Sequence, residues 1–445
     1  MRVHPSDDLL RRLVEGIKAS LLRQVLRHLL ECRRCRERLR RVLDGEEEGP
    51  ARVLSWPARD YRPILDRVIE RAQRAGLPLR REQAEAPMLL GELLLRPESE
   101  RRRLLDEDRR FASWPLADLI LDRSFEASFD DPEYGEGLAE LGLAVTDALE
   151  RTDIGRPLVA DLRARGLAYL ANARRMHSDL AGADEAMARA RAEIGRGTGD
   201  PVERARLLDL EASLRKEQRR LAEAARLLRR AIAAYRAAEE SRSAGKALIK
   251  LAEVQRLAGK PEEAVALLRE AVEELDPKRD HKLLLCARHN LATALVDLDQ
   301  FMEARRIFRQ TRPLYLRFPD SWTQRRRLWL AGKIDFGLGQ LEAAERRLEQ
   351  ARRGFLEQEI VYDAALVSLD LAAVYARQGR SDDLRRLAHE MLPVFNARGV
   401  HGEARRALGL FQRAAEVDLV TVGLVQRLLA YLHRARHDPN LRFEA

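Results

Sequence analysis

The sequence predicts an all-α fold. Of its 445 residues, 34% are charged and only 5% are aromatic, a balance that suits amphipathic helices rich in Ala, Leu, Arg and Glu. Apolar residues recur at three- and four-residue steps, which is the spacing of one helix face. The second half of the chain also repeats its pattern every 40 residues. Because the chain is too long for one ordinary globular core, we expect helical units stacked in series.

The first predicted domain covers residues 1–45. Ser6 is a helix-start residue after Pro5, and a short helix (LLRRLVEG) ends at Gly16, a natural C-cap position. A second helix is predicted from about Ala19 to Leu43. Prolines and glycines recur in DGEEEGPARVLSWPARDYRP, and we place a linker at residues 46–62. Residues 63–155 follow as an irregular helical region, either divergent repeats or a helical capping subdomain.

The second predicted helix offers the metal chemistry of this sequence. In HLLECRRC, His28 and Cys32 are four residues apart and share one helical face, and Cys35 follows at the spacing by which two thiolates grip one zinc ion. A structural zinc site usually has four ligands. His4 is the only other His or Cys before His177, so the candidate ligands are His4, His28, Cys32 and Cys35. The alternative interpretation is a pair of exposed free thiols.

This segment resembles the anti-sigma-factor-type zinc-finger domain of bacteria. In that family a short helix leads through a Gly-containing turn to a longer helix with a His-Leu-x2-Cys-x2-Cys-Arg-x2-Leu pattern. The resemblance implies that His4 completes the zinc site. It also implies contact with a sigma factor or another transcription regulator. The matching residues are Gly16, His28, Leu29, Cys32, Cys35, Arg36 and Leu39.

The clearest pattern covers residues 156–438 and has a period of about 40 residues. Each unit has an anchor residue, with apolar residues four, seven and eleven positions later on the same helix face. A small residue stands twelve positions before the anchor, where a paired helix must approach closely, and a turn residue stands five before. Such a period predicts stacked helix-turn-helix units. The anchors are Ala186, Ala224, Ala264, Ala304, Ala344, Leu384 and Leu424, and the turn residues are Gly259, Asp299, Gly339 and Gly379.

The repeats resemble the tetratricopeptide repeat family. In LIKLAEVQRLAGKPEEAVALLREAV the matching residues are Leu251, Ala252, Gly259, Ala264 and Leu268. The family repeat has 34 residues, and the longer period here lengthens the helices by about two turns. The resemblance implies a right-handed α-solenoid of tetratricopeptide-like helix-turn-helix repeats, which would follow the small zinc-binding helical domain.

In such arrays, function usually lies on the first helix of each pair, where we expect Arg215, Gln255 and Asp335. We therefore expect a regulatory adaptor that is not an enzyme. Its repeats would bind protein partners, and its zinc module would contact a sigma factor or another regulator. The alternative is a structural scaffold in which zinc only stabilises the N-terminal domain. A metalloenzyme with Glu31 or Glu37 as the base is a third class, but no nucleophile–base pair or phosphate loop appears elsewhere.

Charge and hydropathy exclude several other classes. The formal charge is +9, yet the 81 basic and 72 acidic residues alternate, and no basic cluster is interleaved with aromatic residues. Nucleic-acid binding is therefore not expected, and neither is a small-molecule substrate. Three cysteines argue against a secreted disulfide protein, and Cys286 reads as a packing residue. No apolar run is long enough to span a membrane, and MRVHPSDDLL lacks a signal-peptide pattern, so we expect a cytoplasmic protein.

Overall fold

The computed structural model describes residues 81–152, 155–396, 402–416 and 419–435, and the regular structure within these ranges is helical. None of the described helices has the length and hydropathy needed to cross a membrane. The predicted zinc domain and linker lie outside these ranges. The helices are α1 (81–94), α2 (Glu98–Glu107), α3 (Trp114–Ala127), α4 (Pro132–Leu149), α5 (Arg156–Met176), α6 (Leu180–Ile194), α7 (Pro201–Glu217), α8 (Leu221–Ala237), α9 (Ser241–Leu257), α10 (Pro261–Glu274), α11 (His281–Asp297), α12 (Phe301–Gln310), α13 (Arg312–Arg317), α14 (Ser321–Gly337), α15 (Leu341–Glu357), α16 (Val361–Gln378), α17 (Ser381–Asn396), α18 (Gly402–Glu416) and α19 (Val422–Ala435).

The helices form two compact units. The first contains the described residues up to Leu214 together with Ala234–Glu239, and the second contains Arg215–Ala233 and the described residues from Glu240 onward. In the first unit α3 packs against α4, α4 against α5, and α5 against α6. In the second, the hairpins are α9 with α10, α11 with α12, α14 with α15, and α16 with α17. Neighbouring hairpins also pack together: α10, the second helix of one hairpin, packs against α11, the first helix of the next. The same holds for α15 and α16.

The turn inside each hairpin recurs with the 40-residue period. The second residue after the first helix has a left-handed backbone, with φ of 76° at Gly259, 56° at Asp299 and 75° at Gly339. The next amide then donates to the carbonyl five residues earlier, as in the 2.9 Å bond from Lys260 N to Gln255 O. This pattern is the Schellman C-cap, which satisfies carbonyls that the helix end leaves open. The predicted turn residues are thereby confirmed, and Asp299 shows that a short polar side chain tolerates this conformation.

The anchor positions of the repeat are buried, as the periodicity predicts, except for Leu424, which is half-buried. Ala264, Ala304 and Ala344 are 0% exposed. The small residue on the facing helix is needed because the helices approach closely: a Cβ added to Gly332 would lie 2.7 Å from Cγ of Leu348. Neighbouring apolar side chains close the core around these contacts. Phe308, four positions after the anchor Ala304, is also only half-buried.

One repeat breaks the helix that the pattern predicts. Thr311 and Tyr315 lie seven and eleven positions after the anchor Ala304, so the pattern predicts them on one continuous second helix. In the structure α12 ends at Gln310 and α13 begins at Arg312. Pro313 explains the break, since proline has no amide hydrogen to donate and its ring crowds the preceding turn. Tyr315 nevertheless remains buried at 3% exposure. The position eleven residues after the anchor is therefore still buried, although the helix is interrupted.

The left-handed turn predicts a clear response to substitution. Gly339→Ala should lower the free energy of unfolding by about 1–2 kcal/mol, because a Cβ disfavours the left-handed region. Gly137→Ala is the matched control: it lies inside α4 with open space around its Cα, and should raise stability by about 0.5–1 kcal/mol. Urea unfolding followed by circular dichroism measures both. Equal effects of the two substitutions would contradict the role of the turn.

Candidate functional site

The predicted zinc ligands His4, His28, Cys32 and Cys35 lie outside the described residues, so the zinc site stays a prediction. Within the part of the chain that the structure describes, no group of three or more His, Cys, Asp or Glu residues is arranged to hold a metal ion. The structure offers a different candidate site, a surface formed by first helices of the second unit.

Three residues expected on that surface lie elsewhere. Arg215, Gln255 and Asp335 are 3%, 4% and 5% exposed, so they do not face a partner. They share one register position near the end of a first helix, where the side chain points at the second helix of the same hairpin. The expectation from the sequence was wrong because helix periodicity alone does not say which face the second helix covers. The contacts are Arg215 with Glu223, Gln255 with Glu263, and Asp335 with Arg347.

A different face of the first helices of the second unit forms a continuous polar row. α11 contacts α14, and α14 contacts α16. On α14 the residues recur at steps of four, three and four, so they share one face. We call this set the first-helix row: Cys286, His289, Asn290 and Thr293 of α11; Trp322, Arg326, Trp329 and Lys333 of α14; and Asp370 of α16.

Two tryptophans of the row are held in place by one buried ring. Phe355 of α15 is 0% exposed, and the rings of Trp322 and Trp329 meet it edge-on with centroid distances of 6.0 and 5.9 Å. Trp329 is half-buried, whereas Trp322 leaves 43% of its surface exposed. Edge-to-face contacts fix the orientation of aromatic rings. Trp322 is thus a fixed apolar surface that faces solvent.

The carboxylates in and beside the row all have partners. Glu253 accepts from Lys216 at 3.1 Å. Asp370 accepts a 2.6 Å hydrogen bond from Nε1 of Trp329. These pairs tie each first helix to the next, because the partners lie on neighbouring helices. Asp297 is approached from both sides, by Arg256 at 3.5 Å and by Lys333 at 3.8 Å.

Arg326 differs from these residues. It is half-buried on α14, and among the described residues no carboxylate forms an ion pair or hydrogen bond with it. It lies within electrostatic range of His289, whose Nδ1 is 2.8 Å from the hydroxyl oxygen of Tyr315. Burial, together with the nearby charge of Arg326, lowers the pKa of His289 well below its ordinary value, so the ring is neutral at neutral pH. Burial also raises the pKa of the Cys286 thiol, although Arg326 opposes the shift.

In the first unit an arginine occupies the repeat position that corresponds to Arg326, but a carboxylate neutralises it. Arg206 stands three periods before Arg326 and bonds both carboxylate oxygens of Glu203 at 3.1 Å. Arg165 of α5 also bonds Glu203 and reaches Asp118 of α3. Although burial opposes it, the charges of the two arginines hold the pKa of Glu203 below its usual value. Both arginines therefore have carboxylate partners within the cluster, which links α3, α5 and α7.

A buried carboxylate in the first unit secures the loop that precedes α7. Asp161 of α5 is 5% exposed, and its Oδ2 accepts from the amide of Thr198 at 3.1 Å and from the Thr198 hydroxyl at 2.5 Å. Its Oδ1 has no hydrogen-bond partner among the described residues. Burial raises the pKa of Asp161 to about 6, against the bonds from Thr198 and with help from Glu203 and Asp200.

This carboxylate predicts a pH dependence of stability. Because the folded pKa lies above the unfolded value of 3.8, the folded protein binds the proton more tightly. Stability should therefore fall as the pH rises from about 4 to about 6, by about 3 kcal/mol in total. Asp161→Asn should remove this fall and be more stable at pH 8, as urea unfolding measures. The exposed Asp130→Asn is the control. A wild-type pH profile retained by Asp161→Asn would contradict the assignment.

Comparisons with known proteins identify the fold. No protein-family model matches the chain, and no curated protein matches its sequence. A Rap protein complexed with competence and sporulation factor has a TM-score of 0.54 at 12% identity, over 72% of this chain and 87% of that one. Two further solved structures give lower scores: aspartyl phosphate phosphatase F from Bacillus subtilis (TM-score 0.42, 12% identity, 97% of each chain) and a tetratricopeptide repeat protein from Parabacteroides merdae ATCC 43184 (TM-score 0.41, 14% identity, 67% of this chain and 99% of that one). Similarity at this level of identity concerns the fold alone. The described helices, paired in hairpins whose turns recur every 40 residues, form tetratricopeptide-like repeats.

Proposed function

We propose that this protein is an adaptor without enzymatic activity, and that it binds a protein partner through the first-helix row. The observation that carries this proposal is the juxtaposition of Trp322, Arg326 and Trp329 on one face of α14. Tryptophan and arginine are the residues that most often dominate the binding energy of protein interfaces. Both tryptophans are already ordered against Phe355, so a partner would bind a pre-organised surface.

The chemistry of the row favours binding over catalysis. A cysteine nucleophile needs a lowered pKa and a base that takes its proton. Burial instead raises the pKa of Cys286, which keeps the thiol protonated. His289 is neutral, but its Nδ1 is engaged with the Tyr315 hydroxyl. These groups therefore support packing between α11 and α13 and not a reaction.

A solved structure of similar fold supports the proposal that this protein binds a partner. The Rap protein of the same fold was solved as a complex with competence and sporulation factor, so an array of this kind does hold a partner molecule. We propose the same general role here. The identity of the partner does not follow from that similarity.

Affinity purification of the tagged full chain from its source cells, compared with Arg326→Ala, tests the proposal. The partner should be recovered about tenfold less with Arg326→Ala, because a charge-assisted contact of about 1.4 kcal/mol is lost. Arg309→Ala is the charge-matched control, since Arg309 is exposed on α12, outside the row. If all three baits recovered the same proteins in the same amounts, the row would not be the binding surface.

We further propose that His4, His28, Cys32 and Cys35 bind one structural zinc ion. What supports this is their ligand spacing and the resemblance to the anti-sigma-type zinc finger. A tetrahedral site with two thiolates and two imidazoles is an ordinary structural zinc site. The domain so formed would contact a sigma factor or another transcription regulator, and the repeats would hold the second partner.

Elemental analysis of protein purified under reducing conditions tests the zinc proposal. We expect about one zinc per chain in the wild type and much less in Cys32→Ser, because the site loses a thiolate ligand. Cys286→Ser is the matched control: it removes the cysteine of α11 and should keep the metal. Metal-free wild-type protein, or equal loss from both variants, would exclude the site.

The same variants separate the regulatory role from the purely structural one. If zinc only stabilises the N-terminal domain, Cys32→Ser should keep every partner of the wild type. If the domain is regulatory, Cys32→Ser should lose the transcription regulator and keep the partner that depends on Arg326. Circular dichroism would check that the repeats remain helical in both cases.

A further inference from the structure

We infer that the partner presents an extended acidic peptide segment to the first-helix row, with a carboxylate on Arg326 and a neighbouring apolar side chain on Trp322. The inference rests on the proposed protein-binding function and specifies its chemistry. It is carried by the distribution of charge along the row and by the exposed aromatic surface beside the one arginine.

The first step is charge. Glu253, Asp297 and Asp370 are each engaged by Lys, Arg or Trp, as described above. At the start of α14, Lys282 lies within electrostatic range of Asp320, so these two charges offset one another. Arg326 remains without a carboxylate among the described residues.

The second step is the environment of Arg326. Its neighbours Cys286, His289 and Tyr315 are all neutral at neutral pH, because burial raises the pKa of the thiol and of the phenol and lowers the pKa of the imidazole. Of the charged groups near these three side chains, Arg327 adds a positive charge and Glu253 is already paired with Lys216. A half-buried guanidinium in this setting gains from a counter-ion. Its planar fork matches the two oxygens of a carboxylate.

The third step is the apolar neighbour. Trp322 and Arg326 are four residues apart on α14, so their side chains are adjacent. Trp322 is 43% exposed and rests against the buried Phe355, which keeps its ring in place without a partner. An acidic residue followed closely by an apolar one would contact both side chains at once.

The row also selects against a polyanion. A nucleic-acid strand presents one phosphate after another and needs several cations along its path. Here Lys216 already pairs with Glu253, and Arg256 and Lys333 pair with Asp297, so these cations are not available to a continuous phosphate backbone. A peptide with an isolated carboxylate fits this pattern better.

A displayed library of random peptides about twelve residues long, selected on the full-length protein, tests the inference. Selected peptides should carry Asp or Glu beside an apolar residue. Selection on Arg326→Gln should lose the acidic preference, and selection on the control Arg309→Gln should retain it. For one selected peptide, labelled with a fluorophore, the affinity should fall about tenfold with Arg326→Gln, corresponding to about 1.4 kcal/mol. Arg326→Lys, which keeps the charge but not the fork, should give an intermediate loss.

A double-mutant cycle makes the contact specific. Changing the acidic residue of the peptide to its amide should weaken binding to the wild type and have little further effect on Arg326→Gln. Trp322→Ala should weaken binding to the same extent with either form of the peptide. Because Arg326 makes no ion pair within the described structure, its variants should match the wild type in helix content and thermal midpoint.

The outcomes separate this inference from the proposed function. Peptides selected without acidic residues, or selected equally well on Arg326→Gln, would overturn the acidic contact and leave protein binding in place. Selection of no peptide on any of the proteins would count against the row as a binding surface and so against both. A single-stranded oligonucleotide that displaces the peptide and depends on Arg326 would assign the row to nucleic acid and overturn the inference.

Discussion

The close approach of the two helices in each hairpin is the constraint on which the second unit depends. At Gly332 the backbone of α14 lies so near α15 that a Cβ would meet the side chain of Leu348 at 2.7 Å. Only a small residue on one helix and a small anchor such as Ala344 on the other allow this distance. The Schellman turn at Gly339 then sets where the second helix begins. Once these two conditions hold, the direction of every other side chain on the hairpin follows from the helix period.

That geometry sorts polar residues into two groups with different roles. Residues near the end of a first helix, such as Asp335, turn towards their own second helix and are buried in contacts within the hairpin. Residues a turn or more earlier face the neighbouring first helix, where Trp329 reaches Asp370. The first group holds a hairpin together. The second links one repeat to the next and contains the surface on which a partner would bind.

The two units use the same register position in opposite ways. Arg206 is neutralised by Glu203 within a cluster that also contains Arg165 and Asp118, and this cluster holds three helices together. Arg326, at the equivalent position, forms no ion pair with a described carboxylate and lies near the neutral Cys286 thiol and His289 ring. A buried ion pair requires both partners, and an arginine left without one is available to a ligand. Divergence between repeats at a single position thus turns a structural contact into a candidate binding site.

From the sequence it was possible to predict the all-α class, the 40-residue period, the anchors such as Ala264 and Ala344, and the turns at Gly259 and Gly339. The spacing of residues along one chain is a local property, and periodicity reports it directly. The sequence also placed His28, Cys32 and Cys35 at zinc-ligand spacing, which stays a prediction. Which polar residues are buried within a hairpin and which remain accessible could be seen only from the packing of the helices. Gln255 and Arg326 are both polar residues of first helices, and what separates them is the helix that packs against each one. Whether a charge is neutralised likewise depends on residues some 40 positions away, as Asp297 is from Arg256. Such pairings arise from packing between repeats, and the spacing within a single helix carries no record of them.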